Sequence, residues 1–91
     1  MFRVEDYTKE LIKRKNITQK ELLNKMKELK LADDKTLVKQ KLNNALNQRM
    51  GYTWARRIEI ALDLPDFVLV NMVGTPSEAQ WKKIKEIRKN V

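Results

Sequence analysis

The stretch from Ile17 to Arg49, ITQKELLNKMKELKLADDKTLVKQKLNNALNQR, decides the fold. Thr18 with Glu21 three residues on is a capping box. Its hydroxyl takes an amide of the first helical turn, and the glutamate takes the amide of the threonine. Ile17 is placed to pack on the helix it precedes, and Leu22, Leu23, Met26 and Leu29 follow at helical spacing as a buried stripe. This helix is expected to end near Lys30. Asp33 or Asp34 then offers a carboxylate to the positive end of another helix, expected over Asp34 to Arg49 with Val38, Leu42, Ala45 and Leu46 as its apolar face.

Working outward, Val4, Tyr7, Leu11 and Ile12 predict a helix over Glu5 to Lys15, stopped by Asn16. After Arg49, Gly51 is the first residue free to take a left-handed conformation, and Thr53 is the expected cap of a helix lined by Trp54, Ile58, Ala61 and Leu62. That helix must end before Pro65, which disfavours helical backbone at Leu64. Residues 67–73 suit a short helix opened by Pro65 and Asp66, although the run is β-branched enough for a strand. Beyond Gly74, Thr75, Pro76 and Glu78 read as a second capped start, followed by a seam of Trp81, Ile84, Ile87 and Val91. Lys82, Lys83, Lys85, Arg88 and Lys89 make that last helix strongly basic. No glycine or proline occurs from Met1 to Met50, which excludes a turn-rich sheet there. The expectation is an all-α, compact five- to six-helix bundle with an amphipathic C-terminal helix.

Ninety-one residues suffice for one domain with one core. A net charge of +8 implies an acidic partner, of which nucleic acid is the commonest. There is no long apolar run and no signal-peptide pattern at the N-terminus, so a cytoplasmic protein without a membrane partner is expected. Without cysteine or histidine there is no thiolate or imidazole chemistry, and no metal, cofactor or small-molecule ligand is indicated. Nothing pairs a nucleophile with a base, and no glycine-rich phosphate loop exists, so an enzyme is not expected.

On a wheel for the helix expected from Asp34, Thr36, Gln40, Asn43 and Asn47 face away from the apolar stripe, all polar and uncharged. Solvated helix faces are usually built of Glu, Lys and Arg, because Asn and Thr have poorer helix propensity. Asn and Gln can pair with both N6 and N7 of adenine in the major groove, so these four are the candidate base readers of double-stranded DNA. Lys35, Lys39, Asn44 and Arg49 flank the strip as candidate backbone contacts, with Tyr52 in the loop beyond. The competing reading is that the amides brace helix ends and loops, or reflect a chain rich in Asn and Lys throughout. Trp54 and Trp81 fit core packing better than base stacking, and Arg56 and Arg57 fit a phosphate contact or a solvated face equally well.

The order of these elements resembles the DNA-binding domain of the Cro and phage-repressor (lambda-repressor-like) helix-turn-helix family. Ile17-Thr18-Gln19-Lys20-Glu21-Leu22 looks like the opening of that family's scaffold helix, and Ile58 to Leu64 like the ending of its fourth helix. The resemblance implies a helix-turn-helix domain over 1–74, with Gln19 contacting the DNA backbone and bracing a reading-helix side chain; Lys20 beside it is a further candidate backbone contact. Residues 75–91 then either pack on that domain or form a homodimer contact through Trp81, Ile84 and Ile87. The chain departs from the family in a lengthened, glycine-free scaffold helix and turn between Met26 and Asp34. The implied function is sequence-specific DNA binding as a bacterial, plasmid or phage transcriptional regulator. Two alternatives stand beside it: a DNA-binding accessory protein in plasmid transfer, replication or recombination, and a protein-interaction module such as an antirepressor or inhibitor.

Overall fold

Six helices follow one another among the described residues, 3–88, of the computed structural model: α1 (Val4–Arg14), α2 (Gln19–Glu28), α3 (Lys39–Asn47), α4 (Tyr52–Ala61), α5 (Val68–Val73) and α6 (Glu78–Glu86). The architecture is all-α, as the periodicity requires. The run 67–73 is helical: Phe67 turns the chain through a left-handed conformation (φ 66°) into α5, and the β-branched Val68 and Val70 are spent on packing rather than on a strand. Among the described residues no helix is long and apolar enough to cross a membrane.

The capping box of α2 is formed as expected, with Glu21 N donating to Thr18 Oγ1 and Thr18 N donating to Glu21 Oε1, both at 3.1 Å. Asn16 ends the preceding α1 in a left-handed conformation (φ 56°), which its short polar side chain tolerates. Elsewhere local signals are displaced. The last helix is capped by Ser77 with Gln80, not by Thr75 with Glu78, because Ser77 is the residue that reaches an amide three positions on. α4 starts at Tyr52 with Gly51 as its N-cap, two residues earlier than a Thr53 cap allows. Gly51 has φ −81°, so no left-handed turn is needed there.

The largest correction concerns the connection before α3. α2 is not lengthened; it ends at Glu28, and Lys30 leaves it in a left-handed conformation (φ 53°). The extra residues form an irregular segment pinned by Leu31 and Leu37, both buried. Within it Asp33 accepts the amides of Thr36 and Leu37, closing a turn instead of capping a helix. α3 therefore begins at Lys39 rather than Asp34, and the apolar residue at its start is Leu37, 1% exposed, while Val38 stands at 36% exposure.

The core is centred on Leu22, Met26, Leu42, Leu46, Ile58 and Leu69, all essentially inaccessible. Burying each contributes about 1.5 to 3 kcal/mol relative to exposure. α3 packs against both α1 and α2, which hold its inner face, and α6 packs back on α4. Ile84 is wholly buried within the chain, and Trp81 meets the Phe67 ring edge-on at 5.3 Å, so two of the seam residues proposed for a homodimer are engaged by their own core. Ile87 is half-buried; Val91 and Lys89 lie outside the described residues. A radius of gyration of 12.1 Å equals the roughly 12 Å expected of one folded domain of this length, consistent with α6 belonging to the same body.

Candidate nucleic-acid interface

α3 is nine residues long, and its inner face of Leu42, Ala45 and Leu46 is buried. That packing fixes what points outward. Gln40, Asn43 and Asn47 are exposed at i, i+3 and i+7, so three of the four candidate base readers share one face of one helix. Thr36 does not join them. It sits in the turn closed by Asp33, half-buried, with its amide 2.8 Å from Asp33 Oδ1. The Asp33 carboxyl is held below the ordinary aspartate range, first by the Thr36 hydroxyl, then by the Thr36 amide, with Lys41 a weaker contributor.

The exposed amides engage one another. Asn47 Nδ2 donates to Asn43 Oδ1 (2.9 Å) and to the Asn43 carbonyl (3.1 Å), while Gln40 Nε2 reaches Asn44 Oδ1 at 3.3 Å. These i,i+4 bonds orient the side chains in advance but are weak and water-exposed, so a base edge can replace them at small cost. Asn44, a candidate backbone contact, is half-buried as the partner of Gln40.

The two ends of α3 differ. At its start no side chain caps the helix and no acidic residue occupies the first turn, leaving free amides beside the exposed Lys39 and Lys41. Free amides and cations at a helix N-terminus attract phosphate. At its far end α1 and its N-cap residue supply three contacts. Arg3 donates to the Gln48 carbonyl at 2.6 Å, the buried Glu5 carboxylate accepts from Met50 N at 2.7 Å, and Lys9 Nζ meets Asn47 Oδ1 at 3.2 Å. Glu5 is 7% exposed and also faces Arg3 at 3.5 Å. This clamp was not legible beforehand, because an acid in the first turn of a helix reads as an ordinary partner of the helix dipole.

The other candidate backbone contacts divide between surface and interior. Lys20, Lys35 and Arg49 are exposed, and Gln19 is half-exposed in the first turn of α2. Among the described residues Gln19 makes no hydrogen bond to α3, so the bracing role implied by the resemblance is not formed in the free protein. Tyr52 is half-buried in the first turn of α4, and a Cβ built on Gly74 would lie only 2.8 Å from its hydroxyl. The ring is therefore packed against the end of α5 rather than presented in a loop.

Arg56 and Arg57, adjacent in sequence, have opposite fates. Arg56 is buried, bonded to Glu59 at 2.9 Å and Asp66 at 3.2 Å, and its guanidinium lies 4.4 Å from the centroid of the Phe67 ring. It holds the α4–α5 corner and cannot reach a phosphate. The corner depends on Glu59, fully buried, whose carboxylate accepts from Phe67 N (2.8 Å) and Leu69 N (2.9 Å) and so performs the capping that Phe67 cannot. The i,i+3 spacing of Arg56 and Glu59 was a visible sign of the pair but not of its burial. Arg57 instead lies over Trp54 at 5.2 Å from the ring centroid, and burial pushes its guanidinium below the ordinary value, opposed by Asp33.

No protein-family model, curated protein or solved structure matches the chain.

Proposed function

We propose that the protein binds double-stranded DNA sequence-specifically through α3 and serves as a transcriptional regulator. The carrying observation is the exposed, uncharged strip of Gln40, Asn43 and Asn47 on a helix whose N-terminus is uncapped and flanked by Lys39 and Lys41. Amides hydrogen-bond base edges without the desolvation cost of a charge, whereas the lysines and free amides hold phosphates and set the register. The net charge of +8 brings the protein to the duplex. The resemblance of residues 17–22 and 58–64 to the Cro and phage-repressor family supports the same reading, and the α1 clamp gives the strip a fixed platform. The role of Thr36 passes to the turn before the helix, so base reading rests on three side chains.

The test is selection of bound duplexes from a random library, followed by competition at physiological salt with Gln40→Ala/Asn43→Ala. The expected outcome is an enriched motif whose preference over random duplex falls at least tenfold in the variant, since each good bidentate amide–adenine pair supplies about 1 to 3 kcal/mol of discrimination. Helicity is expected to stay unchanged. No enriched motif, or discrimination retained in the variant, overturns the assignment.

A further inference from the structure

A concavity of about 290 Å³ lies where the end of α2, the first half of α4 and the end of α6 meet, away from the exposed strip of α3. Its lining brings together Lys30, Thr53, Arg57, Lys83 and Arg88, from three stretches of chain distant in sequence, against one carboxylate, Glu86. Among the described residues no carboxylate lies within ion-pair distance of Arg57, Lys83 or Arg88. Thr53 and Arg57, one turn apart on α4, both line the concavity. The Arg57 guanidinium lies over the Trp54 ring, and Arg57 Nε, like that of Arg56, is buried without an acceptor. Arg57 is half-buried, and burial pushes its guanidinium below the ordinary value against the opposing charge of Asp33.

This is an unusual way to dispose of cations. Long basic side chains normally separate into solvent, where like charges are screened beyond about 8 Å at physiological salt. Here basic side chains from three stretches of chain line one hollow, where a bound anion meets several cations at once. Planar guanidinium, ammonium and hydroxyl donors together match a tetrahedral oxyanion, and Arg is the residue best suited to phosphate geometry. The neighbouring Arg56 shows that the chain supplies carboxylates where it needs an arginine neutralised internally.

We propose that this hollow is a phosphate-binding site with Arg57, Lys83, Arg88 and Thr53 as its ligands. The phosphate group belongs either to a small phosphorylated molecule or to the backbone of a duplex, and the site stands independently of the α3 reading.

The experiment measures thermal unfolding of the full chain in low-millimolar inorganic phosphate against chloride at equal ionic strength. In parallel, it measures the salt dependence of binding to a duplex of random sequence. Lys83→Gln/Arg88→Gln removes two exposed ligands without touching the core, Arg57→Gln removes the central one, and Lys25→Gln/Lys27→Gln makes the same charge change on α2 as a control. Saturable stabilisation of the unaltered protein by phosphate, with an upward shift of about 3 °C, is expected from mass action if the free ion is held. That shift should vanish in both site variants and persist in the control. If phosphate gives no shift but the site variants lower the slope of log affinity against log salt by about 1 to 2 relative to the control, the ligand is the duplex backbone. Absence of both effects, or equal loss in the control, overturns the site.

Discussion

The outer face of α3 and the α4–α5 corner are both rich in polar side chains, yet they are built on opposite terms. At the corner Glu59, Arg56 and Asp66 carry charges, and the carboxylate of Glu59 is wholly buried with a partner for each oxygen. On α3 the polar groups are neutral, exposed and joined by replaceable bonds among themselves. Buried charge with both carboxylate oxygens engaged fixes one conformation; exposed amides with spare donors and acceptors leave a surface open to a partner. Substitutions at the corner should therefore act on stability, and substitutions on α3 on binding.

Glu59→Ala should produce the largest effect. It leaves the Arg56 guanidinium with Asp66 alone and removes the acceptor of two backbone amides, and breaking a buried charged pair costs about 3 to 5 kcal/mol. A chain of this length has roughly 5 to 14 kcal/mol of stability to lose, so the variant should unfold at much lower urea concentration. Glu59→Gln keeps one acceptor and should lie between the two. Urea titration followed by circular dichroism measures this. A variant nearly as stable as the parent would erase the contrast between corner and helix face.

Glu5 joins the two regimes, since it is a buried charge that holds the exit of the exposed helix. Glu5→Ala leaves Met50 N unsatisfied, a cost of about 1 to 3 kcal/mol. The loosening should be local: amide hydrogen exchange at Gln48 to Met50 should accelerate by more than tenfold while that of α2 rises only with global stability. DNA discrimination should weaken too, because Asn47 loses its fixed platform. Uniform acceleration across all helices would show that Glu5 contributes to the core rather than to the placement of α3.

The contrast also explains what could be read from the sequence. Helices came through because their apolar spacing is a local property, and Leu22, Met26, Leu42, Ala45, Leu46 and Ile58 are buried as their periodicity requires. Caps came through where one residue satisfied the pattern, as at Thr18, and slipped where two starts competed, as with Thr75 and Ser77. The burial of the Glu5 and Glu59 carboxylates could not be read, although the spacing of Arg56 and Glu59 shows that the two can pair. Glu5 and Glu59 find their partners 45 and 10 residues away, and such bonds leave no periodic trace. The start of α3 was misplaced for a related reason. Leu37 and Val38 are equally apolar, and only the turn at Asp33 decides which of them enters the core. Of the candidate base readers, Gln40, Asn43 and Asn47 share a face because helical geometry alone puts them there, whereas Thr36 was assigned by extending the helix through that turn.

The smallest effect follows from that turn. Thr36→Val removes the hydroxyl that does most to hold the Asp33 carboxyl below its ordinary range. The expected result is a rise of the Asp33 titration midpoint towards the ordinary value, measured by carboxyl NMR. A carboxylate whose folded pKa is depressed contributes stability above the unfolded pKa and loses it as the pH falls through the folded one. The parent should therefore lose slightly more of its neutral-pH stability than Thr36→Val as the pH falls through the ordinary aspartate value and the depressed midpoint below it, where the two converge. Asp33 is exposed, which keeps the difference small and sensitive to salt. The same variant divides the two places Thr36 can belong to. As part of the turn, it can be altered with DNA discrimination essentially intact, while Gln40→Ala/Asn43→Ala destroys discrimination and leaves the Asp33 midpoint unmoved. If Thr36→Val instead costs as much discrimination as the amide pair, then α3 must extend towards Asp34 when it meets DNA, and the turn at Asp33 is a conformation of the free protein that binding undoes.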